Sequence, residues 1–96
     1  MRNRNRVVVT GMGVVAPNGI GLDPFWSSLL SGQSAIGPIT LFDAAAFPSR
    51  IAGEVRDFKP ELYLDPEVKA RRLNRFTQFA LIAAEMARKQ AGLTRE

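Results

Sequence analysis

The chain has 96 residues, 46% of them hydrophobic and 23% charged, with a formal net charge of +4. That length allows one domain at most, and the composition is that of a chain that packs a core. It holds no cysteine and no histidine, which excludes disulfides, thiolate metal sites and the commonest general base.

No apolar run approaches the roughly 20 residues of a membrane span. The basic start "MRNRNR" leads straight into valines, without the apolar stretch and small-residue cleavage site of a secretory signal. A cytoplasmic protein is therefore expected. The excess of cations suits an anionic partner without defining one.

Arg6 to Thr10 reads as a strand. Val7, Val8 and Val9 are contiguous and β-branched, so both faces are expected to be buried, as in the centre of a parallel sheet. Gly11 to Gly21 carries four glycines and one proline and reads as a loop, with Asn18-Gly19 as its turn. Asp23 is placed to cap a helix that Pro24 starts, and Phe25, Trp26, Leu29 and Leu30 form its apolar stripe. Gly32 is the expected terminator. Residues 33–50 read as irregular, broken at Pro38 and Pro48. "IAGEV", 51–55, reads as a short strand in which Gly53 permits close backbone approach.

Asp65 and Pro66 repeat the same start signal. The apolar positions Leu73, Phe76, Ala80, Ala83, Ala84, Ala87 and Ala91 keep helical spacing. Phe79, Ile82 and Met86 add a second stripe, so more than one side needs covering. An unbroken helix from 66 to 91 would be roughly 39 Å long, and a bend or break is expected near Asn74. Gly92 ends it. The aromatic residues Phe25, Trp26, Phe76 and Phe79 read as core. Tyr63 reads as a surface hydrogen-bonding residue, and Ser27, Ser28 and Ser31 have no base beside them.

Two strands and two helices do not make a sheet with independent stability. A doubly buried strand needs neighbours on both edges. The physical expectation is an α/β piece of a larger body whose remaining part covers these faces.

Gly11-x-Gly13-x-x-Ala16 after a valine run has the spacing of a dinucleotide-binding turn. That function needs a helix to begin at the glycines, with its free N–H groups toward the pyrophosphate. Here Pro17 favours an extended Ala16, and the first cap comes only at Asp23. Asp43 stands near the place of a ribose-binding acid but runs into "AAAFP", not out of a second strand. A tight, glycine-permitted strand-to-loop turn at Gly11 and Gly13, packed against other backbone, is the better reading.

"RVVVTGMGVVAPNGIG", "FWSSLLSGQSAIGPITLFD", "IAGEVRDF" and "NRFTQFALIAAEMARKQAGL" follow one another in that order. Together, over about Arg6 to Leu93, they resemble the N-terminal portion of a beta-ketoacyl-[acyl-carrier-protein] synthase of the type II fatty-acid elongation class. The resemblance implies a thiolase-like fold of two similar layered α/β halves, usually dimeric, of which residues 1–96 would be an incomplete first part. It implies no cofactor, no metal and no membrane or nucleic-acid partner. The reaction implied is decarboxylative condensation. A cysteine takes an acyl group from acyl carrier protein, and two histidines assist loss of carbon dioxide from the malonyl thioester and stabilise the oxyanion. Neither residue type is present here, so no catalytic residue is carried over and the 96 residues alone are expected to be inactive. The resemblance makes Gly11 and Gly13 structural. A polyketide-type ketosynthase or its cysteine-less partner subunit is the alternative within the family. A nucleotide-binding oxidoreductase fragment and a free-standing basic interaction module are the alternatives outside it.

Lys69, Arg71, Arg72 and Arg75 stand within seven residues. On one helix, Arg71 and Arg75 are i, i+4, and Lys69, Arg72 and Arg75 follow at i, i+3. Like charges so spaced cost about 0.2–0.5 kcal/mol a pair, which Glu67 partly offsets and an acidic partner would offset further. From the residues alone this is a solvated helix face. No aromatics are interleaved and no nucleic-acid recognition motif surrounds it. The resemblance implies a docking role toward the acidic helix of acyl carrier protein, with Arg71 and Arg72 matching the family's basic pair and Lys69 adjacent. Val68 stands where some members carry a further basic residue.

Overall fold

The structure, a computed structural model, describes residues 4–94. A short hairpin comes first. Strands β1 (Val15–Ala16) and β2 (Gly19–Ile20) pair antiparallel across the two-residue loop Pro17-Asn18, with Val15 opposite Ile20 and Ala16 opposite Gly19. Helix α1 (Leu22–Leu30) follows directly and packs on β2. Strands β3 (Ile36–Pro38) and β4 (Ile51–Gly53) form a second antiparallel pair. Two 3₁₀ turns, Pro60–Leu62 and Ala70–Arg72, lead into the long helix α2 (Arg75–Ala91).

Both helices stop by the same device. Gly32 and Gly92 take left-handed φ values of 67° and 74°, which cost a glycine little. The Gly92 N–H donates to the Lys89 carbonyl and the Leu93 N–H to the Arg88 carbonyl, at 3.1 Å each. Gly32 and Gln33 do the same to Leu29 and Ser28. These paired bonds satisfy carbonyls that a helix end leaves open.

The helix starts differ from the expected ones. Gly21, not Asp23, caps α1, and no side-chain cap hydrogen bond is made. Asp23 lies inside the first turn, where a carboxylate still favours the positive end of the helix. At the second Asp-Pro no helix begins. The Asp65 carboxylate accepts the Glu67 N–H at 2.9 Å, and the chain turns. Leu73 and Asn74 are extended, with ψ near 141° and 152°, so the expected break at Asn74 separates a 3₁₀ turn from α2. An Asp followed by Pro serves a helix cap and a local side-chain turn equally well.

Residues 33–50 are not wholly irregular either. Ile36–Pro38 pairs with β4, and Pro38 is accommodated at the end of an edge strand. Arg6–Thr10 forms no strand, because among the described residues none donates to or accepts from its backbone. Val7, Val8 and Val9 are 93%, 66% and 79% exposed. A valine run favours a sheet, but the ladder needs neighbouring strands that the described elements do not provide.

What orders the segment after the valines is α2. A side-chain carbon at Gly11 would lie 2.1 Å from the Ala87 carbonyl oxygen, and one at Gly13 would lie 2.0 Å from that of Ala83. Neither glycine has positive φ, so they serve close approach of two backbones and do not form a turn. The Met12 N–H donates to the Gln90 Oε1 at 2.7 Å across the same seam. Ile82, at 1% exposure, is the most buried side chain of α2. Leu73 is half-buried beyond the helix, whereas Phe76 and Ala80 face out. The expected apolar stripe is therefore split, with Ala83, Ala87 and Ala91 turned to the glycine segment.

Little else is buried. Ala44, Val55 and Ile82 are the buried apolar residues among those described, while Trp26, Leu30, Phe42 and Phe47 stay more than half exposed. The accessible surface is 8143 Å², against about 5,400 Å² for a compact monomer of this mass. The radius of gyration is 17.3 Å, against about 12.5 Å for a compact chain of this length.

The glycine–alanine seam yields a test. In the full-length protein that carries these residues, Gly13→Ala is expected to lower stability by about 1–3 kcal/mol, the usual cost of forcing atoms into a closed contact. Gln33→Ala, at an exposed site, is expected to stay within about 0.5 kcal/mol of the parent. Urea denaturation midpoints measure both.

Candidate functional site

Beyond β4 the chain turns inward, and residues 54–56 tie three segments together. Glu54 is buried although charged. Its carboxylate accepts the Thr40 N–H at 3.0 and 3.2 Å, the Thr40 hydroxyl at 2.9 Å and the Leu41 N–H at 3.0 Å. The Arg56 guanidinium lies 3.5 Å from it and donates to the Pro38 carbonyl at 2.9 Å. Burial opposes ionisation of Glu54, but the donors from Leu41 and Thr40, helped by Arg56, outweigh it and hold the carboxyl below its ordinary value. The sequence reading passed over Glu54. Its one signal was a lone acid between Gly53 and Val55 at the end of a strand.

The Val55 carbonyl accepts a hydrogen bond from the Arg75 guanidinium. That group also lies 5.2 Å from the ring centroids of both Phe58 and Phe79, within cation–π range. Phe58 meets Phe79 edge-on at 4.9 Å and stacks on Tyr63 at 6.4 Å. Phe79 is thus packed as expected, whereas Trp26 and Phe76 are not core residues among the described part of the chain. Trp26 lies on α1 and Phe76 on α2, and both are exposed, whereas Phe25 is half-buried. Tyr63 packs as an aromatic.

The basic cluster divides accordingly. Lys69 precedes the 3₁₀ turn Ala70–Arg72, and Lys69, Arg71 and Arg72 are all exposed. None makes an ion pair with a described residue. Arg75 is held by Val55 and the two rings and does not join them. Because 65–74 holds no α-helix and the chain is extended at Leu73 and Asn74, Arg75 does not share a helix face with Arg71 and Arg72. The three free cations border a cleft of about 850 Å³ whose walls include Pro60, Leu64 and Val68, with Glu61 and Asp65 on the same rim. Gln78, on the first turns of α2, reaches back to this turn and donates to the Ala70 carbonyl at 2.7 Å.

Such a surface can attract an acidic partner and hold it by charge-assisted hydrogen bonds. It holds no nucleophile with a base beside it, and no group of three metal-binding side chains occurs among the described residues. Gly11 and Gly13 lie against α2, and α1 begins only at Leu22, so no helix N-terminus faces them. Asp43 accepts the Ala45 N–H at 3.1 Å, a local turn.

An α/β segment that leaves its valine run exposed and presents a basic turn fits one part of a layered α/β body. The family description "Beta-ketoacyl synthase, N-terminal domain" matches residues 4–96, and the chain belongs to that family. It is 48% identical over 90 residues to 3-oxoacyl-[acyl-carrier-protein] synthase 2 of Coxiella burnetii, covering 94% of this chain and 22% of that protein. It is 46% identical over 90 residues to the tetracenomycin polyketide synthase ketoacyl synthase beta subunit of Streptomyces glaucescens, covering 94% of this chain and 22% of that one. Among solved structures, the ishigamide ketosynthase/chain length factor superposes with a TM-score of 0.85 at 40% identity, over 96% of this chain and 23% of its own. The chain thus spans about a fifth of the length of these relatives. No helix among the described residues is long and apolar enough to cross a membrane.

The Glu54 clamp gives a pH-dependent test. A carboxyl held low in the folded state stabilises above the ordinary carboxylate range, and that stability is lost as pH falls through the lowered value. Glu54→Gln is expected to lower the thermal midpoint of the full-length protein near pH 7. The gap between parent and variant should close as pH falls below the ordinary carboxylate range and through the lowered value. Melting curves across that range check both the sign and the convergence.

Proposed function

We propose that these residues are the N-terminal part of a 3-oxoacyl-[acyl-carrier-protein] synthase that elongates fatty acids by condensing acyl and malonyl carrier-protein thioesters with loss of carbon dioxide. The 48% identity to the Coxiella burnetii synthase across nearly the whole chain carries this reading. The 96 residues contain no cysteine or histidine, so the thiol that accepts the acyl group and the imidazoles that assist decarboxylation belong to the rest of the protein. The segment contributes scaffold and a docking surface. Val7–Val9 and the outer face of α1 are covered by the remaining sheet and helices of the longer chain. Lys69, Arg71 and Arg72 receive the acidic face of acyl carrier protein. The protein acts as a cytoplasmic homodimer, without a cofactor.

The 46% identity to a polyketide ketoacyl synthase beta subunit supports a second reading, a polyketide-type ketosynthase or its cysteine-less partner. The gene downstream of Glu96 separates the two family readings from the rest. One cysteine followed by two histidines marks a condensing subunit, and histidines without the cysteine mark the partner. The assay is the full-length protein with acyl- and malonyl-carrier protein, followed by mass spectrometry. The expected product is a 3-oxoacyl carrier protein two carbons longer than the acyl donor. A protein that makes none, yet binds NAD, would overturn the proposal.

Docking is tested by charge. Arg71→Ala and Arg72→Ala are each expected to raise KM for carrier-protein substrates about fivefold, the equivalent of ~1 kcal/mol for an exposed ion pair. The effect should shrink as salt rises, since such pairs are screened.

A further inference from the structure

The basic turn is a weakly built element. Its internal backbone bonds run from the Arg72 N–H to the Lys69 carbonyl and from the Leu73 N–H to the Ala70 carbonyl, both at 3.0 Å. A 3₁₀ turn of three residues has poor hydrogen-bond geometry and little cooperativity. It lies on the exposed side of a chain that buries few apolar groups, and its flanks, Lys69 and Leu73, are not helical.

One side chain ties it to the long helix. The Gln78 amide nitrogen donates to the Ala70 carbonyl at 2.7 Å and also lies 3.4 Å from the Leu73 carbonyl. The two carbonyls bracket Arg71 and Arg72. The Gln78 backbone is itself fixed, its N–H donating to the Asn74 carbonyl at 3.0 Å in the first turn of α2. Gln78 is half-buried, which lessens the competition from water. It thereby sets the direction in which Arg71 and Arg72 leave the turn relative to the α2 axis.

We infer that Gln78 is a positioning residue for recognition of an acidic carrier-protein helix: it holds the Lys69–Arg72 turn in the shape that presents its cations together. The inference rests on the docking reading proposed above. Gln78 itself contacts no substrate. It acts by removing the freedom of the turn before binding, so that the ordering does not have to occur on association.

The test uses the full-length enzyme and two acyl donors: the acyl thioester on carrier protein, and the same acyl group on free pantetheine, which carries no acidic helix. Gln78→Glu keeps the shape but replaces both N–H donors by acceptors facing the carbonyls. Gln78→Met removes the donors without charge and covers the case in which the first variant does not fold. Either variant is expected to raise KM for the carrier-linked donor about fivefold, the worth of one ordinary hydrogen bond, with kcat and the pantetheine KM unchanged. A parallel loss with both donors would make Gln78 a fold residue only and would overturn the inference. If Arg71→Ala and Arg72→Ala raise the carrier KM while the Gln78 variants do not, the docking reading stands and the role of Gln78 is refuted. If none of the four changes the carrier KM, the docking reading fails and the inference falls with it.

Discussion

The structure depends on the direct approach of two backbones: Gly11–Gly13 against the Ala83–Ala87–Ala91 edge of α2. With side-chain positions only 2.0 and 2.1 Å from carbonyl oxygens, the contact tolerates nothing larger than hydrogen at Gly11 and Gly13. It fixes where the N-terminal segment lies and, through the β1–β2 hairpin that follows, where α1 lies. α2 is the spine, and Ile82 is the one large side chain fully enclosed among the described residues. Everything N-terminal of β3 is organised by this seam. Everything from β3 to the basic turn is organised by Glu54, Val55 and Arg56, three successive residues that bond to the Pro38–Leu41 loop on one side and to Arg75 on the other.

The two organising contacts differ in kind. The seam works by exclusion and is insensitive to pH. The Glu54 clamp works by concentrating donors on one carboxylate and depends on its charge. Arg75 links the clamp to α2 because its guanidinium satisfies the Val55 carbonyl while its central carbon lies over the rings of Phe58 and Phe79. A lysine there would keep the charge and lose the forked, planar donor group.

The sequence made the helix ends at Gly32 and Gly92 legible, because only one residue type takes left-handed φ freely. The break at Asn74, the strand at Ile51–Gly53 and the packing role of Gly11 and Gly13 could also be read. The helix starts could not, since an aspartate before proline stabilises a cap and a turn by the same side-chain hydrogen bond. β3 was hidden because its partner lies across a loop and Pro38 argues against a strand unless the edge is known. The strand expected at Arg6–Thr10 failed for a different reason. Its propensity is strong, but pairing is a property of neighbours, and its valines stay exposed among the described residues. Glu54 was missed because a single acid at the end of a short strand looks the same whether it faces water or three donors.

The basic cluster shows why counting charges along a sequence overstates a binding surface. Four cations within seven residues suggested one face of one helix. The chain instead breaks at Leu73 and Asn74, and the break sorts them: three remain free on a turn, and the fourth holds the aromatic pair. The sorting takes Arg75 out of the row of like charges that a continuous helix would impose. It also makes their arrangement depend on whatever holds the turn, because two backbone hydrogen bonds do not fix it alone. A 3-oxoacyl-[acyl-carrier-protein] synthase and a polyketide ketoacyl synthase beta subunit match these residues at 48% and 46% identity. That near-equality is what a scaffold segment would show, since the chain holds no cysteine and so the presence of a reactive thiol is not written in it.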